Sequence, residues 1–549
     1  MSYESKWKDR KPIDTINAIQ EFLREKDIHV EEINTTCMGS CYAVTLVVGN
    51  TNLFVNGKGS SLEFARASAY GELMERLLTK VLFRYNYYDR YSKDRDIVFF
   101  DDEVLFDEVE YKNHLSELGL CNCNYHSALD VQKYFTAFSS KLVMEPFNTI
   151  NGEKTKYFPV SVLDVLFGTN GMAFGNTLEE AKTQALSEVF ERYCNKEIIN
   201  KEIIMPKIPV DRSVFKDRLL EEIIEVKEKT GLEVTIYDAS LGKGYPVICV
   251  IFENKENNTY FVKCGAHFDI NIATERCLTE MFQGRRNNQS DYMKKKTYLD
   301  DYSWRKKNLE SILHTGDGYY PVHVINGGIS EYKFEKWPEF DSNSEALEFY
   351  TSKLLEISDE VYFKVYKEKC FNVVRYIIPQ ISQIYDDMTY RMGWQGKLNN
   401  ISNLLERTDD ITENELKDCI DFISNNCNSM GDTIIPFFKH RFSYNTIFKY
   451  YNLYLLKFEY YIMCGKLNLA KEMVEKCMNM SNTNKDILSA MNLLIKKIKG
   501  DTDNIKEYKM LLSNKLFKIG QLHSDDYCKC NICNCQEIKK VYDKFLIVL

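Results

Sequence analysis

One stretch of this chain is written twice and, more faintly, a third time, and that repetition limits what the chain can fold into. GSSLEFARASAYGELMER runs from Gly59 to Arg76, and GNTLEEAKTQALSEVFER runs from Gly175 to Arg192. Gly, Leu, Glu, Ala, Ala, Glu, Glu and Arg recur at the same offsets. ATERCLTEMFQGR, Ala273 to Arg285, is a weaker copy: Glu280 falls where Glu72 and Glu188 fall, and Gln283 where Glu75 and Glu191 fall. Ser68, Glu72 and Glu75 stand at i, i+4 and i+7, one stripe of a helix. Gln184, Glu188 and Glu191 repeat that stripe, as do Arg276, Glu280 and Gln283. Ala65, Ala69, Ala181 and Ala185 lie beside it and allow close packing. The pattern predicts three copies of one helix building one acidic site. A solvated acidic face on each helix is the plainer reading, but a solvated face needs carboxylates somewhere, not at matched positions.

Carboxylates gathered at one place repel and raise each other's pKa. Divalent cations relieve that repulsion. Mg²⁺ takes oxygen ligands in octahedral geometry and commonly bridges protein carboxylates to phosphates. Arg76, Arg192 and Arg276, interleaved with the carboxylates, suit phosphate oxygens or the carboxylates themselves. The chemistry this suggests is ATP with Mg²⁺.

A chain of 549 residues is too long for one core, so two or more domains are expected. The net charge of −9 argues against a general nucleic-acid binder, though not against a local basic groove. No apolar run approaches a membrane span. The start, MSYESKWKDRK, has no apolar core of a secretory signal, and the 17 cysteines do not form a dense disulfide framework. These features predict a cytoplasmic protein with reduced thiols.

In chain order, TINAIQEFLREKDIHV reads as a helix with Thr15 as its cap, and YAVTLVVGNTNLFVNGKG as two strands about a turn. GKG at 57–59 is a turn or a weak phosphate loop; no Walker A spacing occurs. Residues 81–155 read as aromatic and irregular, with Cys121, Cys123 and His126 close enough to share a zinc. YFPVSVLDVLFG reads as buried strand, and TNGMAFGNT as a glycine-rich turn that could hold an anion at the next helix start. LEVTIYDAS, YPVICVIFE and TYFVKCGAHFD read as strands, with His267 a packing or capping residue. Residues 286–345 read as a polar insertion. VYFKVYKEKCFNVVRYIIP closes an α/β domain ending near Asp387. Beyond it the pattern is helical. GKLNLAKEMVEKC, within a helical hairpin at 446–480, carries tetratricopeptide-type spacing. Cys528, Cys530, Cys533 and Cys535 could bind zinc or an iron–sulfur cluster.

NGKG with SAYGELMER, NGMAFGNT with ALSEVFERY, and GAHFD with TERCLTEMFQGR together resemble the YcaO family over roughly residues 1–387. The resemblance implies an α/β fold in which three pseudo-repeated acidic helices pack on mixed β-sheet, followed at 388–549 by a tetratricopeptide-like helical domain. It implies an ATP site without a phosphate loop. Glu72, Glu75, Glu188, Glu191 and Glu280 would bind Mg²⁺. Lys8, Thr15, Ser68, Asn176, Glu180, Gln184, Arg192 and Arg276 would contact the nucleotide or assist. Ala173 stands where the family has a serine. Members of the family phosphorylate a peptide amide oxygen and form azolines, thioamides or amidines. Azoline-forming members end in a proline-rich tail, whereas this chain ends in KFLIVL. Its stand-alone relatives assist β-methylthiolation of a small-subunit ribosomal protein. The resemblance therefore implies a protein or peptide substrate, a modifying enzyme as partner, no membrane, no direct nucleic-acid binding and a homodimer. An ATP-gated scaffold without turnover is the alternative, and a peptide-modifying azoline or thioamide enzyme a further one.

Overall fold

The structure, a computed structural model, describes residues 7–38, 41–49, 51, 53–86, 99–119, 123–135, 140–280, 293–296, 302–385, 388–406, 411–426, 452–478 and 541. Proline suits a first helical turn because its missing N–H would have had no acceptor there. Accordingly α1 (Pro12–Glu25) begins at Pro12, not at Thr15. Thr15 lies one turn inside, and its hydroxyl is shared between the Lys11 carbonyl at 3.2 Å and Asn176 Oδ1 at 2.9 Å, so it caps nothing.

β1 (Val30–Met38), β2 (Cys41–Val48) and β3 (Phe54–Gly59) form an antiparallel three-stranded sheet. GKG is thus the end of a strand, neither turn nor loop. α2 (Leu62–Leu78) lies directly on β3, with Ser61 accepting the Phe64 N–H as its cap. The approach depends on glycine. A Cβ at Gly57 would come within 2.2 Å of the Ala65 carbonyl and the Ala69 nitrogen.

Next come α3 (Val81–Asn86), β4 (Val104–Phe106), α4 (Glu108–Asn113), α5 (Tyr125–Phe135), β5 (Leu142–Thr149), β6 (Thr155–Pro159), α6 (Val160–Phe167), β7 (Met172–Gly175) and α7 (Leu178–Lys201). Residues 81–155 are therefore more regular than their composition suggests. The Asp107–Glu110 capping box starts α4, and Phe106, Tyr111 and Tyr125 enter one core. VSVLDVLF is helix rather than strand. Only Asp164 among its residues is not fully covered, so it has no polar face to betray a period. The stretch read as a glycine turn contains β7.

α8 (Asp217–Thr230), β8 (Glu233–Asp238), β9 (Val247–Asn254), β10 (Thr259–Ala266), α9 (Ile270–Glu280) and β11 (Lys294–Lys295) follow. Within 302–355 lie α10 (Tyr302–Thr315), α11 (Val322–Asn326) and α12 (Asn343–Leu355). Leu309, Ile312, Tyr320 and Val324 join the largest core, so this region is built in rather than inserted. β12 (Tyr362–Glu368) and β13 (Phe371–Ile377) make the expected hairpin. α13 (Met388–Glu406), α14 (Glu413–Asn426), α15 (Leu453–Met463) and α16 (Leu467–Met478) share an apolar cluster of their own, including Leu405, Ile423, Leu456 and Val474.

The other two sheets run β11-β10-β9-β8 and β4-β5-β12-β13-β7, with β6 also on β5. Every pairing between named strands is antiparallel, so the expected mixed sheet is replaced by three antiparallel ones. Charges lie inside the last sheet. Glu145 accepts from Tyr366 Oη at 2.9 Å and from Lys364 at 3.0 Å. Arg375 Nη2 reaches Asp164 at 3.2 Å and the Gly168 carbonyl at 3.0 Å, and Arg84 pairs with Glu103.

Candidate functional site

In α2, α7 and α9 a strand ending in small residues leads into a helix. Gly57, Gly175 and Gly265 each lie where a Cβ would meet the backbone of that helix. The acidic stripes of the helices face a cavity of about 380 Å³. Every residue expected at the site lines it, from Lys8, Thr15 and Ser68 through Asn176, Glu180 and Gln184 to Arg276, with all five carboxylates Glu72, Glu75, Glu188, Glu191 and Glu280. Ala173 lines it as well, and a serine hydroxyl is absent there. Gln283 and Arg285 lie outside the described residues.

The arginines hold the stripes. Arg76 stands 3.0 Å from Glu75 and 3.5 Å from Glu72. Arg192 reaches Glu188 at 2.6 Å and also the Leu313 carbonyl. Arg276 donates to Gln184 at 2.6 Å and to the Ala266 carbonyl at 2.8 Å, tying α9 to α7. At the start of α7, Lys8 lies 3.1 Å from Glu180, which also accepts the Asn176 and Asp9 N–H groups. The chain before α1 is thereby pinned to this end of the cavity.

Burial pushes the Glu75 carboxyl up to about 8, with Arg76 only partly opposing it and Glu188 and Glu72 adding to it. Burial likewise raises Glu191 to about 8, reinforced by Glu280. Glu72 is raised for the same first reason. Glu280 goes the other way: burial acts upward, but Lys58 and Lys263 outweigh it and hold the group below the usual range. Among the described residues, no three of His, Cys, Asp or Glu are grouped to hold a metal as they stand. Within the cavity, arginine and lysine pair with the carboxylates.

Lys58 escaped the sequence reading. It ion-pairs with Glu280 across from β3, and its only signal was its place in NGKG. Glu275, Thr169 and Thr279 also line the cavity and were missed. His267 behaves as expected. Its Nδ1 accepts the Asp269 N–H at 3.0 Å and its ring meets Trp7 edge-on, while burial, then Arg276 and Lys8, push its pKa well below the usual value. The zinc expectation at residues 121–126 finds no support among described groups. Burial pushes the Cys123 thiol up to about 12, His126 is exposed beside Glu108, and Cys121 lies outside the described residues. Cys528, Cys530, Cys533 and Cys535 lie outside them too. No described helix is long and apolar enough to cross a membrane.

An oxygen-rich cavity of this size, walled by carboxylates and arginines, suits a polyphosphate and its counter-cations. The chain belongs to the YcaO family: the model described as YcaO cyclodehydratase, ATP- and Mg²⁺-binding, matches residues 56–382. ATP and Mg²⁺ are the cofactors of that family. The chain is 32% identical over 367 residues to an uncharacterised protein of Haemophilus influenzae, covering 64% of this chain and 62% of that one. It is 32% identical over 343 residues to the ribosomal protein S12 methylthiotransferase accessory factor YcaO of Escherichia coli, covering 60% of this chain and 58% of that one. The matched part thus spans about three fifths of the length of these relatives. The YcaO structure from Methanopyrus kandleri bound with AMPPCP and Mg²⁺ is similar at a TM-score of 0.42 and 15% identity, over 68% of this chain and 91% of that one.

Proposed function

We propose that this chain uses ATP and Mg²⁺ to activate a peptide amide or carboxyl group, as an accessory factor in methylthiolation of ribosomal protein S12. The observation that carries the activation chemistry is the convergence of three acidic helices and their arginines on one cavity. The function for which the Escherichia coli relative is named supports the setting. Glu72, Glu75, Glu188, Glu191 and Glu280 hold the cations, with Gln184 assisting. Ser68, Asn176, Glu180, Arg192 and Arg276 contact the nucleotide, with Lys8 and Thr15 toward its nucleoside end. The bound Mg²⁺·ATP supplies an electrophilic phosphoryl group. The protein's own part is to orient that group and neutralise its charge, which is most of the work in phosphoryl transfer. The three helices are read as pseudo-repeats. The helical cluster from α13 onward is read as a tetratricopeptide-like platform for the modifying enzyme, in keeping with its separate apolar core.

Turnover separates this reading from a scaffold. With S12 as substrate, Glu191→Gln reduces Mg²⁺-dependent ATP hydrolysis roughly 100-fold, the scale of losing one preorganised charge. Wild-type turnover in that variant removes Glu191 from the site. ATP binding without any turnover by the wild type replaces the enzyme with an ATP-gated scaffold. The family description, a cyclodehydratase, favours one other reading, ring formation on a peptide substrate. Product mass distinguishes it, since an azoline forms with loss of water.

A pH dependence follows. Glu75 and Glu191 have folded-state values raised to about 8, so their contribution to stability is fully present below the ordinary glutamate value. It is lost as pH rises through about 8. Thermal unfolding in chelator therefore gives a Tm that falls between about pH 5 and pH 9, and Mg²⁺ restores more of it at the alkaline end. A Mg²⁺ effect that is larger at the acid end contradicts the assignment of these two carboxylates to cations.

A further inference from the structure

Among the cations facing the cavity, Arg76, Arg192 and Arg276 are each anchored at two points. Arg76 spans two carboxylates, Arg192 holds Glu188 and the Leu313 carbonyl, and Arg276 holds Gln184 and the Ala266 carbonyl. Lys263, behind the cavity lining, is anchored as well. Its ammonium donates to the Gly316 carbonyl at 2.9 Å while standing 3.8 Å from Glu280, and its side chain is 8% exposed. Lys58 differs. Among the described residues its ammonium has one partner, Glu280, and its side chain keeps 24% of its exposure. It stands at the end of β3 and extends across the cavity to α9. A lysine is a single point charge on a flexible stem, without the planar fork that fixes a guanidinium.

We propose that Lys58 is an exchange lysine: it neutralises Glu280 until a divalent cation arrives, yields that carboxylate to the metal, and then pairs with the phosphate brought into the same cavity. The inference rests on the proposed function, and it explains why the carboxylates are not grouped as a finished metal site. The position a metal needs at Glu280 is held by an internal competitor. Lys263, fixed on the Gly316 carbonyl, stays behind beside Glu280.

The exchange predicts effects of opposite sign from one substitution. In Lys58→Met, Mg²⁺ titrated calorimetrically into nucleotide-free full-length protein binds about tenfold tighter, because one partly exposed ion pair no longer competes. At saturating Mg²⁺ the same variant binds ATP about tenfold more weakly, having lost a phosphate contact. Lys58→Arg, which keeps the charge in a better-anchored form, binds nucleotide-free Mg²⁺ at wild-type strength or more weakly. A lysine that merely braces β3 against α9 would weaken both affinities in the methionine variant, and that result overturns the proposal. Unchanged Mg²⁺ affinity overturns it as well, and unchanged ATP affinity overturns the transfer to phosphate. Should Lys58→Met fail to fold, the arginine variant decides: tighter nucleotide-free Mg²⁺ binding there sinks the exchange, and binding at wild-type strength or weaker supports it. Failure of the wild type to bind Mg²⁺·ATP at all defeats the functional reading itself, an outcome visible before any variant is made.

Discussion

Glu72→Gln/Glu188→Gln loses Mg²⁺-dependent ATP binding by about 1,000-fold: two charges leave a divalent site, and each is worth roughly 2 kcal/mol at the effective dielectric of a partly wet cavity. Glutamine keeps the volume and the helix, so the loss is electrostatic. The two residues come from different helices, α2 and α7, yet both line the same cavity and both are bound by the arginine one turn on. Isothermal titration of ATP with and without Mg²⁺ on wild type and double variant is the direct measurement. Wild-type affinity in the double variant would mean that the matched stripes serve the fold alone. Loss confined to the titration with Mg²⁺ would identify the two carboxylates with the cation rather than with the nucleotide.

Arg375→Ala destabilises the protein by about 3–5 kcal/mol, the cost of leaving a buried charge without its partner. Arg375 and Asp164 are 3% and 6% exposed, and the same guanidinium satisfies the Gly168 carbonyl just past α6. Burial already drives the Asp164 pKa upward against the pull of Arg375, so removing the arginine leaves protonation as the main escape. Denaturant unfolding reads the loss. Arg375→Met with Asp164→Leu recovers a large part of it, because an apolar pair of similar size carries no desolvation debt. A double variant as unstable as the single one would mean that the cost lies in packing. The consequence reaches the site, since Arg375 pairs in register with Met172 on β7, the strand that leads into α7.

How much of this was legible depended on whether a signal was local. The acidic stripes were visible because a helix repeats every three to four residues and the same offsets occurred twice over. The strands β8, β9, β10 and the hairpin β12–β13 were visible as long apolar runs bounded by turns. α6 was not, because a helix covered on nearly all sides has no polar face and looks like a buried strand. β7 was not, because four residues among glycines carry too little pattern, and its pairing with β13 is a contact across about 200 residues of chain. Lys58 was unreadable for the same reason: a lysine at a strand end is ordinary, and its meaning comes from Glu280, 222 residues later. The residues inferred by resemblance, Lys8 and Thr15 among them, do line the cavity, although Thr15 acts there as a hydrogen-bond donor to Asn176 and not as a cap.

The three acidic helices are rooted in different apolar clusters. Ala65, Ala69 and Leu73 of α2 belong to the core around the first sheet, Ala181, Ala185 and Leu186 of α7 to the largest core, and Ala273, Cys277 and Leu278 of α9 to that of the second sheet. Each helix therefore commits most of its apolar side to a core and turns its acidic stripe to the cavity. Such walls meet across the cavity through hydrogen bonds and ion pairs, Arg276 to Gln184 and Lys58 to Glu280 among them, while the apolar cores lie on their far sides. Ion pairs re-form at any of several separations, whereas interlocked side chains do not. The centre of this molecule is in that sense a polar seam set among three apolar blocks.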